Sequence, residues 1–459
     1  MKQRRKKQKK QPKSFSIINP DAAGIDIGSA EHWVAVPADR DQHPVRKFKC
    51  FTADLHNMAD WLNKCGIKTI AMESTGVYWI PAFQILESRG FEVKLVNAKH
   101  VKNVPGRKTD VLDCQWLQRL HCFGLLSGSF RPENSICVLR SYWRHRDNLI
   151  RYAAGHVQHM QKALTEMNIQ LHKVISDIAG LTGMRIIRAI LEGERDTVKL
   201  ANMKHGRIRS STNEIAKSLE GDYRSEHLFA LKQAVELYDF YQKQISACDQ
   251  QIEDYLIQFD SKLDLDAHPI PPTKRKHRKP QGNEPHFDLR THLYRITGVD
   301  FTQIDGLNAL SVQNIISEVG LDPGAFPTVK HFTSWLGLCP NNRITGGHIK
   351  SSNTRKVVNR AATAFRIAAQ SLSTSLSALG AYYRRMRSRL GAPKAVTATA
   401  HKLARIFYHL WKTADQYKDI GIDYYEQKYK ERILKNMKRK AKKLGYIIAL
   451  APATNENVS

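Results

Sequence analysis

Ala23-Gly24-Ile25-Asp26-Ile27-Gly28-Ser29 sets one carboxylate among β-branched residues and glycines. The stretch reads as a short buried strand. A charge on such a strand is costly unless paired or bound to metal, which makes Asp26 a candidate functional residue. The glycines on either side are expected to let a phosphate backbone approach closely. Working outward, His32–Pro37 reads as a second strand, and Arg46–Phe51 alternates as a third, edge strand of a meander. Asp54–Cys65 has helical spacing through Leu55, Met58, Trp61 and Leu62. A strand at Thr69–Glu73, a helix at Trp79–Arg89, a strand at Val93–Asn97 and a helix at Asp110–His121 follow. The order β-β-β-α-β-α-β-α is that of RNase H-like folds, while the pattern by itself leaves other α/β folds open.

Three further carboxylates join Asp26 in this region. Glu73 ends its strand before Ser-Thr-Gly, at the C-terminal edge where open α/β sheets bind ligands. Asp110 and Asp113 stand at i and i+3 near a helix start and project from one face; Asp110 alternatively caps that helix. Each alone has an ordinary structural explanation. Together they form an all-oxygen donor set for one or two hard cations, Mg²⁺ or Mn²⁺. Two such ions about 3.5–4 Å apart stabilise the attacking and leaving oxygens of an in-line phosphoryl transfer. Lys102, Arg107 and Lys108 just upstream would supply positive charge for the scissile strand.

The 72 Lys and Arg outnumber the 43 Asp and Glu, a formal charge of +29 that points to a polyanionic partner. A basic structural protein, for example one bound to a ribosome, is the bland alternative. The seven cysteines are scattered without any C-x-x-C pair, against a structural zinc site or a secreted disulfide framework. No apolar run is long enough for a signal core or a membrane span, so a soluble cytoplasmic protein that does not enter membranes is expected.

Six segments are expected: a flexible basic arm at 1–17, an α/β catalytic domain at 18–135, and a helical region at 136–262. A basic, proline-containing linker at 263–291 carries Lys274-Arg-Lys-His-Arg-Lys279, followed by a mostly helical domain at 292–415 and a basic helical tail at 416–459. Leu139–Met167 and Leu228–Phe259 show heptad-like apolar positions, the latter through Leu231, Val235, Leu237, Tyr241, Ile245, Ile252 and Ile257. Two long antiparallel helices forming a coiled-coil arm fit this spacing, as does a compact bundle. Ile304–Gly320 reads as two helices about a Gly-containing turn, like a helix-hairpin-helix or a plain helical hairpin.

The chain resembles the insertion sequence 110 family of transposases, in the branch similar to insertion sequence 1111. The resemblance rests on Gly24-Ile-Asp-Ile-Gly28, Met72-Glu-Ser-Thr-Gly-Val-Tyr-Trp79 and Gly106-Arg-Lys-Thr-Asp-Val-Leu-Asp113. It continues in Trp335-Leu-Gly-Leu-Cys-Pro340, Asn359-Arg-Ala-Ala-Thr-Ala364 and Leu390-Gly-Ala-Pro-Lys-Ala395. It implies a RuvC-like domain with an Asp-Glu-Asp-Asp metal site, a coiled-coil arm and a smaller C-terminal transposase domain. It also implies a serine that becomes covalently joined to a DNA 5′ phosphate, a structured guide RNA, DNA as substrate and a homo-oligomer, dimer or tetramer.

The chain departs from the family at that serine. The family residue falls after the Leu-Gly-Leu-x-Pro turn and before glycine, where this chain has Asn342-Arg-Ile-Thr345-Gly-Gly347. Thr345 keeps the hydroxyl, but its β-methyl restricts χ1 and crowds the oxygen. Ser351 and Ser352 in the same loop are the alternatives, and a copy that has lost strand transfer is the third. Arg343, Lys350, Arg355 and Lys356 are expected to clamp phosphate there, and Arg360 either to join them or to pair within a helix. Two other functions compete with covalent transposition: a hydrolytic RuvC-type nuclease, and a decayed nucleic-acid-binding protein.

Overall fold

The computed structural model of the chain describes residues 16–97, 110–273 and 282–449. Packing divides it into two units, one ending at Arg131 and the other beginning at Pro132.

In the first unit, β1 (Ala22–Ile27), β2 (Glu31–Ala35), β3 (Val45–Lys49), β4 (Thr69–Glu73) and β5 (Glu92–Val96) form one mixed sheet in the order β3-β2-β1-β4-β5. The meander β1-β2-β3 is antiparallel, whereas β1, β4 and β5 are parallel. The parallel pairs need crossovers, which α1 (Thr52–Lys64) and α2 (Trp79–Ser88) supply. Alternation then sorts each strand between two helical layers. Ala23, Ile25 and Ile27, with Ile70 and Met72, pack on Leu55, Met58 and Leu62 of α1 and Phe83 and Leu86 of α2. Ile25, Ile70 and Met72 are wholly buried, each contributing about 1.5–3 kcal/mol of transfer free energy. The alternate residues face α3 (Asp110–Cys122), where Thr69 Oγ1 lies 2.9 Å from His121 Nε2. A mixed sheet with helices on both faces is consistent with the RNase H-like expectation.

The glycines of the opening motif serve this packing, and the expected phosphate approach is corrected. A Cβ at Gly24 would stand 2.4 Å from the Cys114 carbonyl oxygen, and one at Gly28 2.5 Å from that of Glu31. The protein's own backbone fills both spaces.

His121 carries a testable consequence of this burial. Thr69 Oγ1 donates to the Glu92 carbonyl at 3.2 Å, so its lone pair accepts from His121 Nε2–H. Burial, with the Lys94 charge behind it, pushes the imidazole down to about 4. The unfolded chain therefore binds this proton first. The stabilisation is complete above pH 6.5 and is lost as pH falls towards 4, up to about 3 kcal/mol. Urea denaturation of the native chain and of His121→Gln at pH 7.5 and 4.5 checks this: the native chain is expected to lose more than the variant.

In the second unit, α4 (Asn134–Glu166) and α9 (Ser225–Ile257) run antiparallel. Tyr142 meets Tyr255, Arg146 meets Asp249, and Tyr152 and His156 meet Tyr241. Between them α5 (Leu171–Val174), α6 (Leu181–Leu191), α7 (Thr197–Asn202) and α8 (Thr212–Ser218) build a core with Met160, Leu164, Ile187, Leu200, Ile215 and Leu231. Leu237 and Ile257, expected in the helix seam, are 45% and 59% exposed; Ala234, Cys248, Asp249 and Leu256 are buried instead.

The rest of this unit contains α10 (Leu289–Thr297), α11 (Ala309–Val319), α12 (Val329–Trp335), a hairpin of β6 (Arg343–Thr345) and β7 (His348–Ser351), and α13 (Arg360–Ser371). α14 (Ala378–Leu390), α15 (Ala392–Thr413) and α16 (Ile422–Lys443) complete it. Phe301 stacks on Phe407 at 4.0 Å, and Phe365 meets Phe407 edge-on at 5.6 Å. Ile304–Gly320 holds one helix, α11, where two were expected; its upstream neighbour is α10, reached through the left-handed Gly298 and Gly306. The segment Lys274–Lys279 lies outside the described residues. No helix among the described residues is long and apolar enough to cross a membrane.

Candidate active site

β1 and β4 are paired in parallel up to Ile25 opposite Met72, so the next residue on each strand is a carboxylate, Asp26 on β1 and Glu73 on β4. By alternation both belong to the face of Gly24, Thr69 and Ala71, the one that α3 covers. α3 runs counter to β1: Gln118 Nε2 donates to the Ala22 carbonyl at 3.4 Å, and Gly24 abuts Cys114 and Gln118. The first turn of α3, with Asp110 and Asp113, consequently lies towards the Asp26 end. The electrostatics agree, since burial and then the charges of Asp26 and Asp113 push the Cys114 thiol up to about 12. Asp26, Glu73 and Asp113 are half-buried and Asp110 is exposed. Thr75 Oγ1 donates to Glu73 Oε1 at 3.3 Å.

The four carboxylates thus share one end of one layer. Among the described residues, however, no three His, Cys, Asp or Glu side chains form a ready metal-holding group. The donor chemistry fits a hard divalent cation, being oxygen throughout. Lys102, Arg107 and Lys108 lie outside the described residues.

Thr345 ends β6, and Gly346 and Gly347 (φ +56° and +80°) form the two-residue turn into β7. Two positive φ values in succession are what a tight hairpin turn requires, and glycine meets them without strain. The pairing sets Thr345 opposite His348 and Arg343 opposite Ser351. Thr345, Ser352, Arg343, Lys350 and Lys356 are exposed and Ser351 is half-buried, its Oγ accepting from Asn353 N at 3.4 Å. The base of the hairpin is pinned, because Asn341 N donates to the Asn353 carbonyl at 2.9 Å and Pro340 bridges to Thr354. Arg355 Nη2 donates to both the carbonyl and the hydroxyl of Ser334, so this guanidinium fixes the loop to the end of α12. Arg360 neither faces the loop nor pairs within its own helix; it reaches Asp147 of α4 at 3.1 Å.

Residues 23–169 match a transposase family model of the IS110 DEDD type, and residues 300–384 match one described as Transposase IS116/IS110/IS902 family. The chain belongs to the IS110 family of transposases. The two matches span about half of it and include β1, β4, α3 and the β6–β7 hairpin. No curated protein matches the chain. The transposase is accordingly an enzyme of DNA recombination encoded by a mobile element. One residue of its hairpin escaped the sequence reading: His348, set across from Thr345. The signal was the Gly346-Gly347 dipeptide, since a two-residue turn makes its flanking residues cross-strand neighbours, with Cβ atoms about 4.5–5.5 Å apart.

Proposed function

We propose that the transposase cuts and rejoins DNA by a covalent route, with Asp26, Glu73, Asp110 and Asp113 as the metal-holding set and Thr345 as the nucleophile. The observation that carries this reading is the register of β1 and β4, which leaves Asp26 and Glu73 side by side on the face covered by the helix bearing Asp110 and Asp113. A divalent cation such as Mg²⁺ or Mn²⁺, when bound, supplies charge neutralisation at the phosphodiester. Thr345 Oγ attacks phosphorus, an O–P bond forms, and the bond to the 3′ oxygen breaks. His348 takes the hydroxyl proton as general base, and the departing 3′ oxygen ends protonated. The result is a 5′-phosphothreonine joined to one strand and a free 3′ hydroxyl on the other. Rejoining reverses these steps on a second 3′ end. Arg343, Lys350 and Lys356, exposed on and beside the hairpin, are suited to phosphate contact, as are Lys102, Arg107 and Lys108. Ser351 and Ser352 are the substitute hydroxyls.

The net charge of +29 supports a large nucleic-acid partner beyond the DNA itself. We extend the proposal to a structured guide RNA, to the insertion sequence 1111-like branch and to a homo-oligomeric, dimeric or tetrameric, enzyme. The paired helices α4 and α9 serve as a coiled-coil arm, and the α10–α11 turn serves as a helix-hairpin-helix-like phosphate contact.

The test is to denature the reaction with end-labelled DNA and its element's RNA and look for protein joined to a 5′ end. The adduct is expected with the native chain and absent with Thr345→Ala, whereas Thr345→Ser is expected to form it faster. Adduct formation by Thr345→Ala removes Thr345 from the mechanism, and a native chain that cuts without any adduct supports hydrolysis instead. His348→Ala is expected to slow adduct formation by about 10²-fold; an unchanged rate would remove His348 as the base.

A further inference from the structure

A concentration of positive charge lies where α14, α15 and α16 meet, outside the sites described above. Lys402 of α15 is half-buried there, and the charges acting on it, those of Arg432, Arg385 and Arg405, all share its sign. Aromatic faces hold these cations. Lys402 Nζ stands 4.3 Å from the Tyr382 ring centre and 5.2 Å from that of Tyr425. The Arg385 guanidinium lies 3.3 Å from the Tyr429 ring centre and 4.7 Å from that of Tyr425. A ring attracts a cation without neutralising it, so the cluster keeps its field. The buried Nη1 of Arg385 has no hydrogen-bond partner among the described residues. An unpartnered buried donor is unfavourable until an acceptor reaches it.

Beside the cluster is a cleft of about 1220 Å³ whose lining includes Tyr382, His401, Lys402, Arg405, Lys412 and Tyr417. That volume accommodates a nucleotide. The cleft also contains Asp415, which pairs with His409 at 3.9 Å, and Glu426 lines the hollow beside Arg385.

We propose that Lys402, Arg385, Arg405 and Arg432 seat a backbone phosphate of a single nucleic-acid strand, with the adjoining nucleotide in the cleft. A single strand fits because its bases are free to leave the stack, whereas those of a duplex are paired. The inference rests on the transposase acting on nucleic acid and not on its cutting it.

Fluorescence anisotropy of the full chain with labelled single-stranded RNA, single-stranded DNA and duplex DNA provides the test. The double variant Lys402→Gln/Arg385→Gln is expected to weaken single-strand binding by at least ~10-fold at moderate salt and to flatten its salt dependence. Lys438→Gln/Lys442→Gln removes the same charge from the exposed end of α16 and is expected to weaken it less than ~3-fold. Loss on RNA, on DNA, or on both strands names the source and supports the site. Equal losses from the two double variants, an equal loss on duplex, or no loss overturns it. Arg432→Gln, on the exposed surface of α16, is the second variant if the first melts early; it is expected to lose more than the single variant Lys438→Gln on the same helix, and an equal or smaller loss overturns the site. None of these measurements requires strand cleavage, so a chain that proves unable to cut DNA leaves their outcome intact.

Discussion

Replacing Glu73 with glutamine is expected to lower DNA cleavage by at least ~10³-fold, about 4 kcal/mol of transition-state stabilisation, without unfolding the protein. Glutamine keeps the length of the side chain but removes its charge and one of its two oxygens, so the proposed ligand to a hard cation is weakened while the packing survives. Glu73 is the last residue of β4, and the strand's buried anchors are its neighbours Ile70, Ala71 and Met72. The hydrogen bond that its side chain accepts from Thr75 is local, long at 3.3 Å, and available to an amide oxygen as well. A melting temperature within about 2 °C of the native value is therefore expected. Cleavage assays and thermal melts on the same preparation check both halves. Normal cleavage, or a collapse of the fold, contradicts the assignment.

The largest effect on stability is expected from Asp249→Ala. Asp249 and Arg146 join α9 to α4 with side chains only 2% and 3% exposed. Arg146 also donates to the Asn283 carbonyl at 3.1 Å, and His286 N to Asp249 Oδ2 at 3.3 Å, so the pair ties the C-terminal part of the 263–291 segment to the two helices. Removing one partner leaves a buried guanidinium without its counter-charge, a cost of about 3–5 kcal/mol. Changing both to apolar residues, Arg146→Met with Asp249→Leu, is expected to recover much of that loss, because neither charge then needs desolvation. Urea denaturation of the three chains measures it. A loss below about 1 kcal/mol for Asp249→Ala shows that the pair is not held out of water as the structure has it.

The N-terminal fold was legible because its signals are local. Asp26 stands out as a charge inside an apolar strand, Glu73 and the Asp110/Asp113 pair fall where a strand ends and a helix begins, and Thr69–Glu73 has the same bounds in both readings. Gly24 was misread because its neighbour in space, the backbone at Cys114 and Gln118, is about ninety residues away along the chain. Leu237 and Ile257 follow a heptad by spacing, yet the seam passes instead through Cys248 and Asp249, whose place is fixed by Tyr142 and Arg146 on the other helix. The β6–β7 hairpin is short and exposed, and the one apolar residue in each strand, Ile344 and Ile349, is too little alternation to announce it. Only the paired glycines mark its turn. Arg355 looked like a phosphate ligand from composition, and its anchor at Ser334 lies 21 residues upstream. Lys402 gave no sequence signal, since tyrosines and arginines on three helices surround it.

The most direct test of the metal-centred account is anomalous diffraction from crystals of the transposase grown with DNA and Mn²⁺. The account predicts a manganese peak within about 2.0–2.3 Å of oxygens from Asp26, Glu73 and at least one of Asp110 and Asp113, with these side chains drawn closer than they stand without the ion. A peak bound elsewhere, or Asp26 and Glu73 left without manganese while DNA is bound and cut, would contradict it.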